Sequence, residues 1–495
     1  MQTTKTAMNW TEKLVFVLAS AFILLFLGTA LARLTYPYEL EWMEGAMVDG
    51  VLRLLEGKQL YVQPSIEYIP FIYPPLYFYL SAAVSLLISP GFLPMRLVSI
   101  LSTLGTLILV HRITSRETNS CGWGLAAAGL YAATYAQVDA WFDISRVDPL
   151  AILLLLGAVY LIRFHNSIPA GISAGLLLSL AFLTKQASLV AAMPLLLYWF
   201  LQKRSPTRWS LPLTFLGISA AGLLLFSILT DGWFFYYTFS LPGQHPILPE
   251  MLCRFWIDLL KPMAIAAMLS LLFILFLLQN KQKEQAGFYF ALLAGFIGAS
   301  YLGRLHPNAH INVLMSSFAS LAIVAPQGYL ALMSSYQREN INPGTSGGWK
   351  KSAFSIAFLL QFLLLLYNPL RYIPDRNDRM AGGNLMSAIQ SYQGDVYLPY
   401  HGYLSTMASK GSSAHAMAVS DVLAGTDSSA ASALRSSMQS AFQQQQFEAL
   451  ILDSNWMESE WQDFYNCEAF TLPEGSFWPR TGMQTRPNRI CIRRP

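Results

Sequence analysis

Twelve mostly apolar runs of 15 to 23 residues recur between residues 14 and 367, and they restrict the possible folds more than any other feature. About 20 apolar residues in a helix cross the hydrocarbon core of a bilayer. Backbone inside that core must satisfy its own hydrogen bonds, which leaves helices as the spanning element here. The chain is 54% hydrophobic and 12% charged, against about 25% charged in ordinary soluble domains. An all-α polytopic membrane protein is expected. The first run, 14–32, lacks the small-residue cleavage pattern of a signal peptide and reads as a retained helix. The net charge of +4 is small and its basic residues form short clusters between runs, a pattern of membrane orientation rather than nucleic-acid binding.

The clusters also set the topology. If all twelve runs crossed, basic loops would fall on both sides and the positive-inside rule would fail. Run 75–90 is short, begins at Pro74-Pro75, carries Tyr77 and Tyr79 and breaks at Ser89-Pro90-Gly91, so it reads as a non-spanning helix. Without it about eleven spans remain, and Lys5 with Lys13, 111–116, Arg163, 203–208, 281–283 and 338–351 share one side, the cytoplasm. The opposite face receives 34–92, 139–148, the Lys185-Gln186 turn, 231–261, 304–310 and everything from Asn368 onward. Pro149, Pro169 and Pro262 are each expected in the first turn of a helix, where the missing N–H costs little.

From Asn368 the composition turns to Ser, Gln, Asp and Gly. Helix-like stretches 382–392 and 429–446 alternate with strand-like stretches 395–399, 447–453 and 488–493, which predicts a small α/β domain. The expected division is a transmembrane domain, 1–367, with an external loop 34–92, and an extracytoplasmic domain, 368–495. Four cysteines match no metal spacing. Cys467 and Cys491 share the tail and pair if it lies in an oxidising compartment; two unpaired buried thiols are the alternative.

Carboxylates concentrate in 36–76, which holds Glu39, Glu41, Glu44, Asp49, Glu56 and Glu67. Such groups beside a membrane are costly and usually functional. Glu41 and Glu44 lie three apart at the start of an amphipathic stretch, 44–56, and share a face if helical. A carboxylate in apolar surroundings can serve as a general base; an acid-rich helix N-terminus is the plainer reading. A second cluster holds Asp139, Asp143, Arg146 and Asp148, of which Asp148 could simply cap the helix after it. These acids have the oxygen chemistry for a divalent metal ion, with Asp143, Asp148 and Glu44 as candidates, although nothing in the spacing fixes a geometry. Lys185, Arg304 and His306 fall on the same face, where cations suit a phosphate headgroup, or merely anchor the protein to lipid.

At these residues the chain resembles the GT-C superfamily of membrane glycosyltransferases, in the branch of the protein mannosyltransferases and lipid A aminoarabinose transferases. The motifs are Glu41-Trp42-Met43-Glu44-Gly45, Tyr73-Pro74-Pro75-Leu76, Arg146-Val147-Asp148-Pro149, Leu183-Thr184-Lys185-Gln186 and Gly303-Arg304-Leu305-His306. The resemblance covers roughly 10–370. It departs at Glu41, usually Asp, which leaves the base open between Glu41 and Glu44. It departs again at Tyr73, often Lys or His, and at Asn308-Ala309, often a Gly pair.

The resemblance implies transfer of a sugar, with inversion, from a polyprenyl-phosphate donor to a lipid, glycan or protein acceptor at the outer face of the plasma membrane. Glu41 or Glu44 would act as base, Asp143 and Asp148 would orient the acceptor or hold a metal, and Lys185, Arg304, Arg146, His306 and Tyr73 would meet the donor phosphate. The rival reading is a transporter or flippase of a lipid-linked saccharide, which would place ionisable groups in mid-membrane. A binding or assembly protein with a glycan-recognising tail ranks last, and the tail residues His401, His415 and Asp421 read as packing or docking groups.

Overall fold

Every expected apolar run contains a helix in the computed structural model, which describes residues 10–307, 309–339 and 356–495. Lys5, Asn308 and most of the basic cluster 338–351 lie outside the described residues. Six described helices are long and apolar enough to cross a membrane. They are α1 (Trp10–Leu34), α4 (Phe92–Thr118), α9 (Thr207–Leu229), Pro249–Gln279, Lys283–Arg304, and Leu314–Glu339, which a 3-10 turn, Ile311–Val313, precedes. The remaining runs form shorter helices: α5 (Cys121–Ala133), α6 (Asp148–Phe164), α7 (Ile168–Phe182), α8 (Ser188–Gln202) and 356–363. α5 packs between α1 and α4, and α7 between α6 and α9. Leu213, Leu216, Leu224, Leu225 and Ile228 leave α9 exposed, an apolar face suited to lipid rather than water.

Local signals explain most helix ends. Ser120 and Ser167 accept hydrogen bonds from Trp123 N and Ala170 N and cap α5 and α7. Pro149 and Pro169 stand in first turns as expected. Pro262 does not: the helix starts at Pro249, and Pro262 sits inside it, beside non-helical φ/ψ at Met263. A proline within a helix removes a ladder bond and kinks it. Part of the expected loop 231–261 is therefore helix.

The first external loop folds as two helices, α2 (Glu44–Leu55) and α3 (Leu76–Ser85). With 10 residues, α3 rises about 15 Å, half a bilayer core. It stops at Ser85, short of the expected 90, and its first N–H donates to Leu183 O at 3.0 Å.

Segments expected on one face do meet. Gln186 Nε2 donates to Ile72 O at 2.8 Å, Leu248 N to Leu305 O at 2.9 Å, Ala414 N to Ile66 O at 2.8 Å, and Gly482 N to Asp139 Oδ2 at 2.9 Å. At the other end of the bundle, Glu117 accepts from Arg163 Nε at 2.5 Å and from Gln285 Nε2 at 3.2 Å.

The tail forms a four-stranded sheet in the order β1 (Val396–Tyr397), β2 (Ala449–Leu452), β4 (Arg489–Arg493), β3 (Tyr465–Ala469). β1 and β2 run parallel; the other pairs are antiparallel. Helices Arg376–Ser391 and Ser428–Gln443 stand close to the expected stretches. β3 was not anticipated, because only its first residue is buried and no alternation shows. Cys467 and Cys491 face each other across β3 and β4 and form a disulfide, so of the two alternatives the pairing holds.

The candidate active site

The turn Leu40–Met43, just before α2, carries Glu41. Its geometry departs from the expected shared helical face: the helix begins at Glu44 with Met43 as N-cap, leaving Glu41 outside it. The two carboxylates are fully buried yet oppositely treated. Glu44 Oε2 accepts from Leu40 N and Arg96 Nη2, both at 2.7 Å, and Oε1 from Ser145 N at 2.7 Å and Arg96 Nε at 3.1 Å. Burial raises its pKa, but Arg96 and these hydrogen bonds outweigh burial and hold it below the usual carboxylate range. Arg96 also donates to Tyr36 O at 2.6 Å and Tyr38 O at 2.7 Å, fixing the start of the loop.

Glu41 accepts only a 3.2 Å bond from Met43 N, on Oε2, and Oε1 has no partner. Arg146 Nη1 lies 3.6 Å from Oε2. Burial dominates over Arg146 and pushes Glu41 up to about 8. Its segment pairs with the C-terminal domain: Arg480 N and Thr481 N donate to Leu40 O at 2.8 and 3.1 Å, and Glu41 bridges Thr481.

Arg146 is 2% exposed. Its Nη2 donates to the Tyr73 hydroxyl at 2.8 Å, its guanidinium lies 5.0 Å from the Trp141 ring centroid, and Nε and Nη1 have no hydrogen-bond partner. Buried donors left unspent are costly, and at such a site they point to a missing acceptor. Lys185 Nζ donates to Asp148 Oδ1 at 2.5 Å, which leaves two of its three N–H groups free. Asp148 caps nothing, since the N-cap is Val147; it also accepts from Asn312 Nδ2 at 3.0 Å and Trp141 Nε1 at 3.2 Å.

Tyr73, Arg146, Lys185 and His306 line one cavity of about 430 Å³, together with Gln186, His245, Asn312 and Asp421 and the apolar Phe71, Leu189, Val190, Phe239 and Leu302. A second cavity of about 500 Å³ adjoins it, sharing Met43, Trp141, Ala309, His310 and Met417. The remaining sequence candidates stand elsewhere. Asp143 is locked by Arg33, whose Nε and Nη2 donate at 2.7 and 2.5 Å, and by the Tyr135 hydroxyl at 3.0 Å. Arg304 is bound to Asp258 at 3.0 Å and to Ala309 O, and holds the turn that presents His306 and His310 without lining the cavity. Among the described residues no three His, Cys, Asp or Glu side chains stand close enough to hold a metal ion. Glu44, Asp143 and Asp148, the metal candidates, are each paired with a cation, so they do not fit a divalent ion.

Arg33 and Arg96 were not singled out in the sequence, and only tertiary contact shows what they hold, Asp143 and Glu44. His401 lies buried between Glu39 Oε2 at 2.5 Å and Asp453 Oδ2 at 3.1 Å. Burial lowers its pKa, but the two carboxylates prevail and raise it to about 10, so it stays an imidazolium joining the first loop to the tail. His415 donates from Nε2 to Trp42 O at 3.0 Å and accepts from Met417 N at 3.1 Å. Burial drives it down to about 3, keeping it neutral. Asp139 accepts from His310 Nε2 at 3.0 Å as well as from Gly482 N.

Residues 73–230 match the family model for dolichyl-phosphate-mannose-protein mannosyltransferases. No curated protein matches the chain in sequence. The whole fold is similar to that of ArnT from Cupriavidus metallidurans in the apo state, at 11% identity over 96% of this chain and 98% of that one, with a TM-score of 0.59. It is similar to the same enzyme bound to undecaprenyl phosphate, at 11% identity over 95% and 98% of the chains, TM-score 0.58. It also matches the archaeal oligosaccharyltransferase AglB from Archaeoglobus fulgidus in complex with an inhibitory peptide and a dolichol-phosphate, at 12% identity over 94% of this chain and 74% of that one, TM-score 0.50. The overall fold is therefore shared with ArnT, and the segment 73–230 is similar to the dolichyl-phosphate-mannose-protein mannosyltransferases.

Proposed function

We propose that the protein transfers a sugar, with inversion, from a polyprenyl-phosphate donor to an acceptor hydroxyl, with Glu41 as general base. The observation that carries this is the buried pair itself: Glu41 with a spare oxygen, 3.6 Å from Arg146 with spare N–H groups. Beside them lies a cavity holding Lys185 among apolar walls. Cations set in an apolar cleft suit a phosphate that carries a long hydrocarbon tail, and the relatives' undecaprenyl phosphate and dolichol-phosphate are such ligands.

In the step, the acceptor O–H gives its proton to Glu41 as its oxygen bonds the anomeric carbon. The bond from that carbon to the phosphate oxygen breaks, and the electron pair leaves on the phosphate. Arg146, oriented by Tyr73, and Lys185, oriented by Asp148, are placed to offset the developing charge. A base with pKa near the working pH is the efficient one, which favours Glu41 over Glu44. Single displacement is supported by the ion pairs that hold Glu44, Asp143 and Asp148 and make them poor nucleophiles.

The ionisable groups of the site sit in loops and at helix ends on one face, a pattern that supports surface chemistry over carriage of a saccharide through the bundle. The Cys467–Cys491 disulfide supports an oxidising side for that face, and the basic clusters at the other end support a cytoplasmic side there. We take 1–367 as the transmembrane catalytic domain and 368–495 as an extracytoplasmic domain that closes over it, in the plasma membrane. A transfer assay in membranes, with a panel of polyprenyl-phosphate sugars, tests the reading. Transfer from at least one supports it, and saccharide passage without transfer favours the transporter.

A further inference from the structure

The second cavity differs in chemistry from the first. Its lining is Trp42, Met43, Trp141, Ala309, His310, Tyr400, Ala416, Met417, Ser420, Gly482 and Met483, with no Lys, Arg, Asp or Glu among them. The ring faces of Trp42, Trp141 and Tyr400 supply flat apolar surface. Trp42 is 8% exposed, and its indole N–H makes no hydrogen bond with any described residue. An indole N–H usually finds a partner, and at the wall of this cavity it can give its hydrogen bond to a ligand.

The wall of the cavity also lies against the base. Gly482 has φ +77, and a Cβ added there would run into Trp42 and Glu41. Only glycine lets the tail segment lie flat against the catalytic glutamate while its N–H holds Asp139. On the other side the cavity opens through Met43 and Trp141 onto the Arg146 and Lys185 cleft.

Resting on the reading of this chain as a glycosyltransferase, we propose that this cavity seats the acceptor and that the acceptor is a neutral saccharide. A phosphate- or carboxylate-bearing acceptor would lose its hydration there with no counter-charge to replace it. A sugar ring offers apolar C–H faces to the indole rings and hydroxyls to Trp42 Nε1, and about 500 Å³ lies within the roughly 300–1,000 Å³ range of small-ligand sites.

The test uses the full-length protein in lipid nanodiscs. Saturation-transfer NMR and calorimetry with maltose, cellobiose, lactose and chitobiose are compared with glucose 6-phosphate and a Ser/Thr-containing peptide, and undecaprenyl phosphate binding is measured in the same preparation. At least one neutral disaccharide is expected to bind, and Trp42→Phe, which keeps a ring but loses the N–H, to weaken it about three- to tenfold, one neutral hydrogen bond's worth. Undecaprenyl phosphate binding is expected to be unchanged in that variant. Glucose 6-phosphate or the peptide binding as tightly as every neutral sugar, or no neutral sugar binding while undecaprenyl phosphate does, overturns the proposal. Loss of undecaprenyl phosphate binding in the wild type removes the glycosyl-transfer reading and this proposal with it.

Discussion

Arg96 holds Glu44 through two hydrogen bonds, at 2.7 and 3.1 Å, and that pair decides which of the two neighbouring glutamates is left free. Both partners are fully buried, and taking one away leaves an uncompensated charge, at a cost of about 3–5 kcal/mol. Arg96→Met and Glu44→Gln are therefore expected to lower the thermal unfolding temperature in detergent, Arg96→Met by more, because it also removes the donors to Tyr36 O and Tyr38 O. A melt unchanged in Arg96→Met contradicts the clamp.

The raised pKa of Glu41, about 8 against an ordinary 4.5, fixes the sign of a pH effect. The base works only when ionised, so turnover should climb with pH and level off above about 8. The fold favours protonated Glu41, and the stability this gives is present below about 4.5 and falls away as pH rises through 8. Turnover measured from pH 6 to 9 under saturating donor checks the first point; a profile flat over that range rules out Glu41 with this environment as the base.

Arg146 and Tyr73 are the proposed contacts of the donor phosphate, joined by a 2.8 Å hydrogen bond. Arg146→Ala removes charge-assisted bonds of about 1.5–3 kcal/mol each and should weaken undecaprenyl phosphate binding by roughly 10- to 100-fold. Arg146→Lys should recover only part, because an ammonium lacks the planar fork and its stacking. Tyr73→Phe, which frees the guanidinium without removing it, should cost about three- to tenfold. Calorimetry in nanodiscs gives all three values.

Much of the bundle was legible because its signals are local. Lipid-length apolar runs, serine caps and prolines at helix starts belong to single segments, and the run beside Pro74-Pro75 that the basic clusters set apart folds as the short α3. Pro262 misled because a proline inside a long helix and one at its start look alike in sequence; packing decides which occurs. The site was legible as a set of residue types and not as a set of pairings. Asp143, Asp148 and Arg304 stood out as charges, but their partners Arg33, Lys185 and Asp258 lie 110, 37 and 46 residues away, and no spacing rule reaches that far. Gly482 and Trp42 were silent for the same reason, since each matters through the tail's contact with the first loop.

The disulfide ties β3 to β4 over a separation of 24 residues. Cys467→Ala with Cys491→Ala is expected to destabilise the tail by about 2–4 kcal/mol and, because 480–482 packs on Leu40 and Glu41, to reduce transfer as well. Thermal melts and transfer rates of the double variant, with and without reductant, check this; a variant as stable and active as the parent contradicts it.

Topology can be read directly. With Cys121 and Cys253 replaced, single cysteines at Arg112 and Lys185 should label from opposite sides of the membrane with an impermeant maleimide. Labelling of both from one side overturns the arrangement of spans.

The central claim is that Glu41 takes the proton, and one comparison tests it most directly: sugar transfer from a polyprenyl-phosphate donor by Glu41→Gln, with undecaprenyl phosphate binding measured on the same protein. Transfer should fall by about 100-fold or more, the scale of a lost general base, while binding and the melting temperature stay near the parent values. A Glu41→Gln variant that binds the carrier lipid and transfers sugar at the parent rate would falsify it.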